Sequence, residues 1–235
     1  PPDPEAWSIR WYKNMIGDCS ADVVSSTVPC STKWMVGTVN SFYIGIIATV
    51  IATALGTLAA LGLSRPHMPY KGLIMAILIS PMIVPLIITA AGMFFFYARI
   101  NLVYTFTGVI LAHVALATPF VVITVTATLV GFDMNMVKAA QSLGAKPMRT
   151  FFKVIMPLIL PGIISGALFA FITSFDEVVI VMFMASIDQL TIPKQMWAGI
   201  RQEISPVILC MATCLVLLSI FLLTTVELLR RRSEK

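Results

Sequence analysis

Charge is what this sequence has least of. Only 11% of its 235 residues are charged, against about 25% in an ordinary soluble domain. Hydrophobic residues make up 58%, and the mean hydropathy is +0.93. A soluble chain of this length needs a polar shell around its core, so a soluble enzyme is excluded and lipid is the expected solvent. A Gly-x-x-x-x-Gly-Lys-Ser/Thr loop is also missing, which excludes ATP binding of the usual P-loop kind. No nucleophile with a base and no metal cluster falls at membrane depth, which argues against a membrane-embedded enzyme. Of the four cysteines, Cys210 and Cys214 have no His or carboxylate nearby and read as small packing residues rather than metal ligands. Cys19 and Cys30 share a polar segment, where a disulfide closing a short loop and two separate thiols are both open. Pro1, Pro2, Asp3 and Pro4 do not begin a signal peptide. The net charge of +5 does not call for nucleic acid, because basic residues in membrane proteins collect in cytoplasmic loops.

What the sequence does contain is a series of long uncharged runs. Residues 1–36 are polar and mixed in charge, with Trp7, Trp11, Tyr12 and Trp34 among them, and read as an extracytoplasmic segment near the membrane interface. An all-α membrane fold follows, with five predicted spans at about 37–63, 72–98, 105–130, 156–185 and 204–226. Each holds the roughly 20 residues that cross a hydrocarbon core about 30 Å thick. In the first span Gly45, Ala48, Ala52, Gly56, Ala59 and Ala60 recur every three or four residues, the mark of a closely packed face. Pro81 and Pro85 are expected to kink the second span rather than end it. His113, in the third, has no acidic companion on its own helix and is expected to be a hydrogen-bonded packing residue rather than a proton relay. The fourth carries Pro157, Pro161, Gly162 and Gly166 early and Asp176 and Glu177 late.

Lysine and arginine set the orientation. One alternating set of loops holds Arg65 and Lys71, then Lys138, Lys146, Arg149 and Lys153, then Arg230, Arg231, Arg232 and Lys235. The opposite set holds Arg99, Lys194 and Arg201, offset by Asp188 and Glu203. The first set belongs in the cytoplasm, which places the N-terminus outside and the tail, 231–235, inside. A long outer segment without an export signal leads to the expectation of one more helix ahead of it, six in the native subunit.

The most informative stretch lies between the third and fourth spans: Lys138-Ala139-Ala140-Gln141-Ser142-Leu143-Gly144-Ala145, continuing through Val154-Ile155-Met156-Pro157. It resembles the cytoplasmic signature of the permease subunits of ABC importers, which is Glu-Ala-Ala, three residues, Gly, nine residues, then Ile-x-Leu-Pro. Ala139, Ala140, Gly144 and Pro157 match at the right intervals. Lys138 stands in place of Glu, Val154 in place of Ile and Met156 in place of Leu. The resemblance implies a type I importer permease fold and a coupling helix at about 133–146. Lys138, Ala139, Ala140, Leu143, Gly144 and Pro157 would then meet a cytoplasmic ATPase, the small residues permitting close approach. It also implies a second permease subunit, two ATPase subunits that bind ATP and magnesium, an extracytoplasmic solute-binding protein, and residence in the bacterial inner membrane; no cofactor is expected in this chain. The resemblance narrows toward spermidine/putrescine permeases through Ser8-Ile9-Arg10-Trp11-Tyr12, Ser174-Phe175-Asp176-Glu177, Ile192-Pro193-Lys194-Gln195-Met196-Trp197, Gly199-Ile200-Arg201 and Ser205-Pro206. The substrate it implies is a small amine or amino-acid-like compound.

Carboxylates in a span need water, a partner or a purpose. Asp176 and Glu177, with Phe175, are therefore candidates for a pathway taken by a cationic amine, and holding packing at the outer interface is the other reading. An ion-coupled secondary transporter using Asp176, Glu177 and His113 is the alternative class. It leaves the small-residue cytoplasmic helix unexplained.

Overall fold

A computed structural model describes residues 9–18, 32–65, 67–131, 133, 135–202 and 205–233. Every regular element among them is helical: α1 (Arg10–Met15), α2 (Lys33–Leu63), α3 (Lys71–Ile83), α4 (Leu86–Arg99), α5 (Phe106–Val130), α6 (Asn135–Ser142), α7 (Pro147–Thr150), a π turn (Phe151–Ile155), α8 (Met156–Phe175), α9 (Val179–Met184), α10 (Ile192–Gln202) and α11 (Pro206–Ser233). Cys19, Cys30 and Glu203 lie outside the described residues, as does most of the polar N-terminal segment.

Among the described residues three helices are long and apolar enough to cross a membrane: α2, α5 and the continuous rod Pro147–Phe175. The pair α3 and α4 makes a fourth only as one broken span, and the described apolar part of α11 runs over Pro206–Phe221. At 31 residues, α2 is about 46 Å long, well beyond the hydrocarbon thickness.

Two of the predicted spans differ in shape from the sequence reading. The run over 72–98 is not one kinked helix: α3 and α4 meet at 104°. Pro81 stays inside α3, and the carbonyl of Ile77 that its missing N–H would have served instead accepts the Ser80 hydroxyl at 2.8 Å. Pro85 is the breaker. It forces Val84 into an extended conformation (ψ 134°) and stands at the start of α4. The run over 156–185 stops at Phe175, and α9 begins three residues after Asp176. At the N-terminal start of that rod, the π turn lies just ahead of Pro157. Widening the ladder there keeps the proline ring off the carbonyl one turn back.

The chain divides into two units, Asn40–Leu190 and the combination of Pro1–Val39 with Thr191–Lys235. In the latter, α1 packs on α11, and Gly199 of α10 faces Ile208 of α11. The unit Asn40–Leu190 is built around α5 and α8. Lipid is as apolar as leucine, so helices in it hold together by close van der Waals fit rather than by escape from water. Small residues supply the fit. A Cβ on Gly162 would collide with the Thr128 side chain, and one on Gly166 would stand 2.5 Å from Thr124 Oγ1 and 3.0 Å from Val121 Cα. On the other side of Val121, a Cβ on Gly56 of α2 would stand 2.6 Å from the valine Cβ. Val121 is thus clamped between α2 and α8. The threonines of this seam satisfy themselves locally: Thr124 Oγ1 donates to the Phe120 carbonyl at 2.9 Å and Thr128 Oγ1 to the Thr124 carbonyl at 3.0 Å.

Candidate functional site

The segment between α5 and α8 is the first candidate. Asp133 Oδ1 accepts the Asn135 N–H at 2.9 Å and opens α6. At 3.6 residues per turn, Met136, Ala139, Ala140 and Leu143 fall on one stripe of α6, with Lys138, Gln141 and Ser142 away from it. Met136, Ala139 and Leu143 of this stripe are exposed, Leu143 at 89%, and Ala140 is half-buried. Gly144 has φ +78°; the Gly144 N–H donates to Gln141 O at 2.9 Å and the Ala145 N–H to Ala140 O at 3.0 Å. That pair of bonds is a Schellman cap, which needs a left-handed residue at this point. Within the chain, then, Gly144 serves backbone conformation: an added Cβ would meet nothing within 4 Å. Pro157 lies apart from this helix, at the start of α8.

The second candidate is the break between α8 and α9, where the structure divides the acidic pair. Asp176 is exposed and ends α8, its N–H donating to Ile172 O at 3.0 Å. Glu177 is 7% exposed, and its Oε1 accepts the Ile180 N–H at 2.9 Å, capping the first turn of α9. Phe175 belongs to an aromatic group with Phe171, stacked at 5.4 Å, and Phe42 of α2, edge-on at 5.2 Å. Replacing Glu177 with alanine leaves the buried Ile180 N–H without its acceptor. A loss of about 1–3 kcal/mol of stability is expected, read as a lower thermal unfolding midpoint in detergent, while Asp176→Asn leaves that midpoint unchanged.

Three buried polar groups near this break carry structure that the sequence did not disclose. His113 Nδ1 lies 2.8 Å from Ser174 Oγ and ties α5 to α8 one residue before Phe175. This is the packing role expected for the histidine. Its Nε2 is buried without a partner among the described residues. Asn40 donates to the carbonyls of Asp188 and Leu190 at 2.8 and 2.9 Å, and Gln189 Oε1 accepts from the backbone and hydroxyl of Ser186. Together they pin the loop after α9 onto α2.

Tightly seamed helices thus surround a broken α8–α9 element, an exposed helix stands in the loop that precedes α8, and the family match and relatives make this a membrane transport component. The chain belongs to the family described as "Binding-protein-dependent transport system inner membrane component", which matches residues 32–235. It is 30% identical over 196 residues, 83% of this chain and 76% of the relative, to the Spermidine/putrescine transport system permease protein PotC of Haemophilus influenzae. Identity is 29% over 215 residues, 88% of this chain and 72% of the relative, with the Putrescine transport system permease protein PotI of Escherichia coli. A shorter match, 32% over 148 residues (63% and 54%), links it to the Trehalose transport system permease protein SugB of Mycobacterium tuberculosis. Family membership removes the ion-coupled secondary transporter as an alternative.

Proposed function

We propose that this permease subunit imports small cationic amines of the polyamine kind, driven by ATP hydrolysis on a partner ATPase that docks on α6. The observation that carries the ATPase reading is the exposure of Met136, Ala139 and Leu143 along one stripe of a helix whose end is fixed by Gly144. A helix offered this way fits a groove on another protein. In this reading the basic loops face the cytoplasm, the N-terminus lies outside and the C-terminus inside. A second permease subunit completes the pore, most simply as a heterodimer. Two ATPase subunits bind ATP and magnesium, and an extracytoplasmic binding protein delivers the substrate. The longer matches to PotC and PotI, against the shorter one to SugB, favour an amine over a sugar.

Asp176 is the pathway residue in this proposal, exposed and next in sequence to Phe175. An exposed carboxylate attracts an ammonium by charge. Glu177 positions α9 and does not meet substrate. In liposomes holding the complete transporter, putrescine-loaded binding protein should stimulate ATP hydrolysis and uptake. Asp176→Asn should reduce uptake about tenfold with assembly unchanged. Stimulation by a trehalose-loaded binding protein alone would contradict the amine reading, and normal uptake by the Asn variant would remove Asp176 from the pathway.

A further inference from the structure

The coupling segment is strongly cationic. Between residues 131 and 156 the charged residues are Asp133, Lys138, Lys146, Arg149 and Lys153, four cations against one acid, a net +3. All five are exposed, and the one carboxylate already accepts the Asn135 N–H. Among the described residues no carboxylate pairs with Lys138. On α6, Lys138 sits about 100° around the helix from Ala139, so a cleft deep enough to hold the apolar stripe brings one of its walls within reach of the lysine. An ammonium drawn out of water into such a cleft is costly unless a countercharge meets it, and a like charge there costs several kcal/mol.

From this geometry we propose that the ATPase cleft receiving α6 presents carboxylates to Lys138 and to the basic residues that follow it. In the importer signature that this stretch resembles, Glu stands where Lys138 stands here, and the partner surface carries the opposite sign to match the lysine. The consequence is selectivity: this permease accepts its own ATPase and rejects ATPases whose cleft is built for a glutamate. The inference rests on the ATPase-docking reading above and goes beyond it in assigning the sign of the partner's charge.

The test uses the full transporter in liposomes. Lys138→Glu should fall at least about tenfold below Lys138→Arg in substrate-stimulated ATP hydrolysis. Paired instead with the ATPase of a relative that carries Glu at this position, Lys138→Glu should outperform the wild-type permease. A photo-crosslinker at position 138 should capture an ATPase peptide rich in Asp and Glu. Equal activity of the Glu and Arg variants, or a crosslink to a basic or neutral peptide or to lipid, would overturn the proposal. A second crosslinker at position 143 keeps the two ideas apart. Capture of the ATPase there, with failure of the charge tests, sinks only the charge assignment; no ATPase captured at either position sinks the docking reading with it.

Discussion

Valine in place of Gly166 is expected to destroy the packing of α8 on α5. The added Cβ alone would stand 3.0 Å from Val121 Cα, a backbone atom that no rotamer change moves aside, and 2.5 Å from Thr124 Oγ1. Two further methyl carbons then have no room, because Val121 is fully buried and already pressed by Gly56 from α2. Overpacking of this kind costs about 1–3 kcal/mol. In lipid the helices have no hydrophobic drive to recover the loss, since separating them exposes nothing that lipid does not solvate. A fall of about five- to a hundredfold in the ratio of packed to unpacked permease follows, measured as the monodisperse fraction in detergent after mild heating. Gly62→Ala is the control: a Cβ there meets nothing within 4 Å, and its effect should stay within about 0.5 kcal/mol.

Ala139→Asp should have the opposite profile, an intact fold with lost coupling. Ala139 is exposed on α6 and the helix end does not depend on its side chain, so stability of the isolated permease should be unchanged. Docking in the proposed cleft would bury an uncompensated carboxylate in the centre of the apolar stripe. Stranding a charge in this way costs about 3–5 kcal/mol, which is at least about a hundredfold in affinity. Co-purification of the ATPase and transport should both collapse, and the uncharged change Gln141→Asn, on the polar side of α6, should leave them near wild type.

The sequence disclosed the parts of the fold that repeat locally. The small residues of α2 are legible because a three- or four-residue recurrence is what a packed helix face requires, and Ala48, Ala52 and Ala60 are indeed fully buried. The two prolines of the second run were read alike and behave differently. Pro81 is tolerated because Ser80 supplies a donor for the freed carbonyl, whereas at Pro85 the chain turns away. The end of α8 carries a local signal, an acidic residue three before Ile180, the pattern of a helix start. Small size is what the sequence pattern offers as the reason for Gly144, whereas the backbone needs it for its left-handed φ of +78°. The contacts from His113 to Ser174 and from Asn40 to Asp188 join residues 61 and 148 positions apart, and nothing in a periodic pattern points across such distances.

The claim on which the account depends is that the turn at Leu143 lies in the cytosol against the ATPase. The direct measurement is labelling of Leu143→Cys, in a chain whose four native cysteines are replaced, by a membrane-impermeant maleimide. Labelling is predicted in inside-out vesicles only, and bound ATPase should block it. Labelling from the outer face, or labelling that the ATPase does not reduce, would contradict the account.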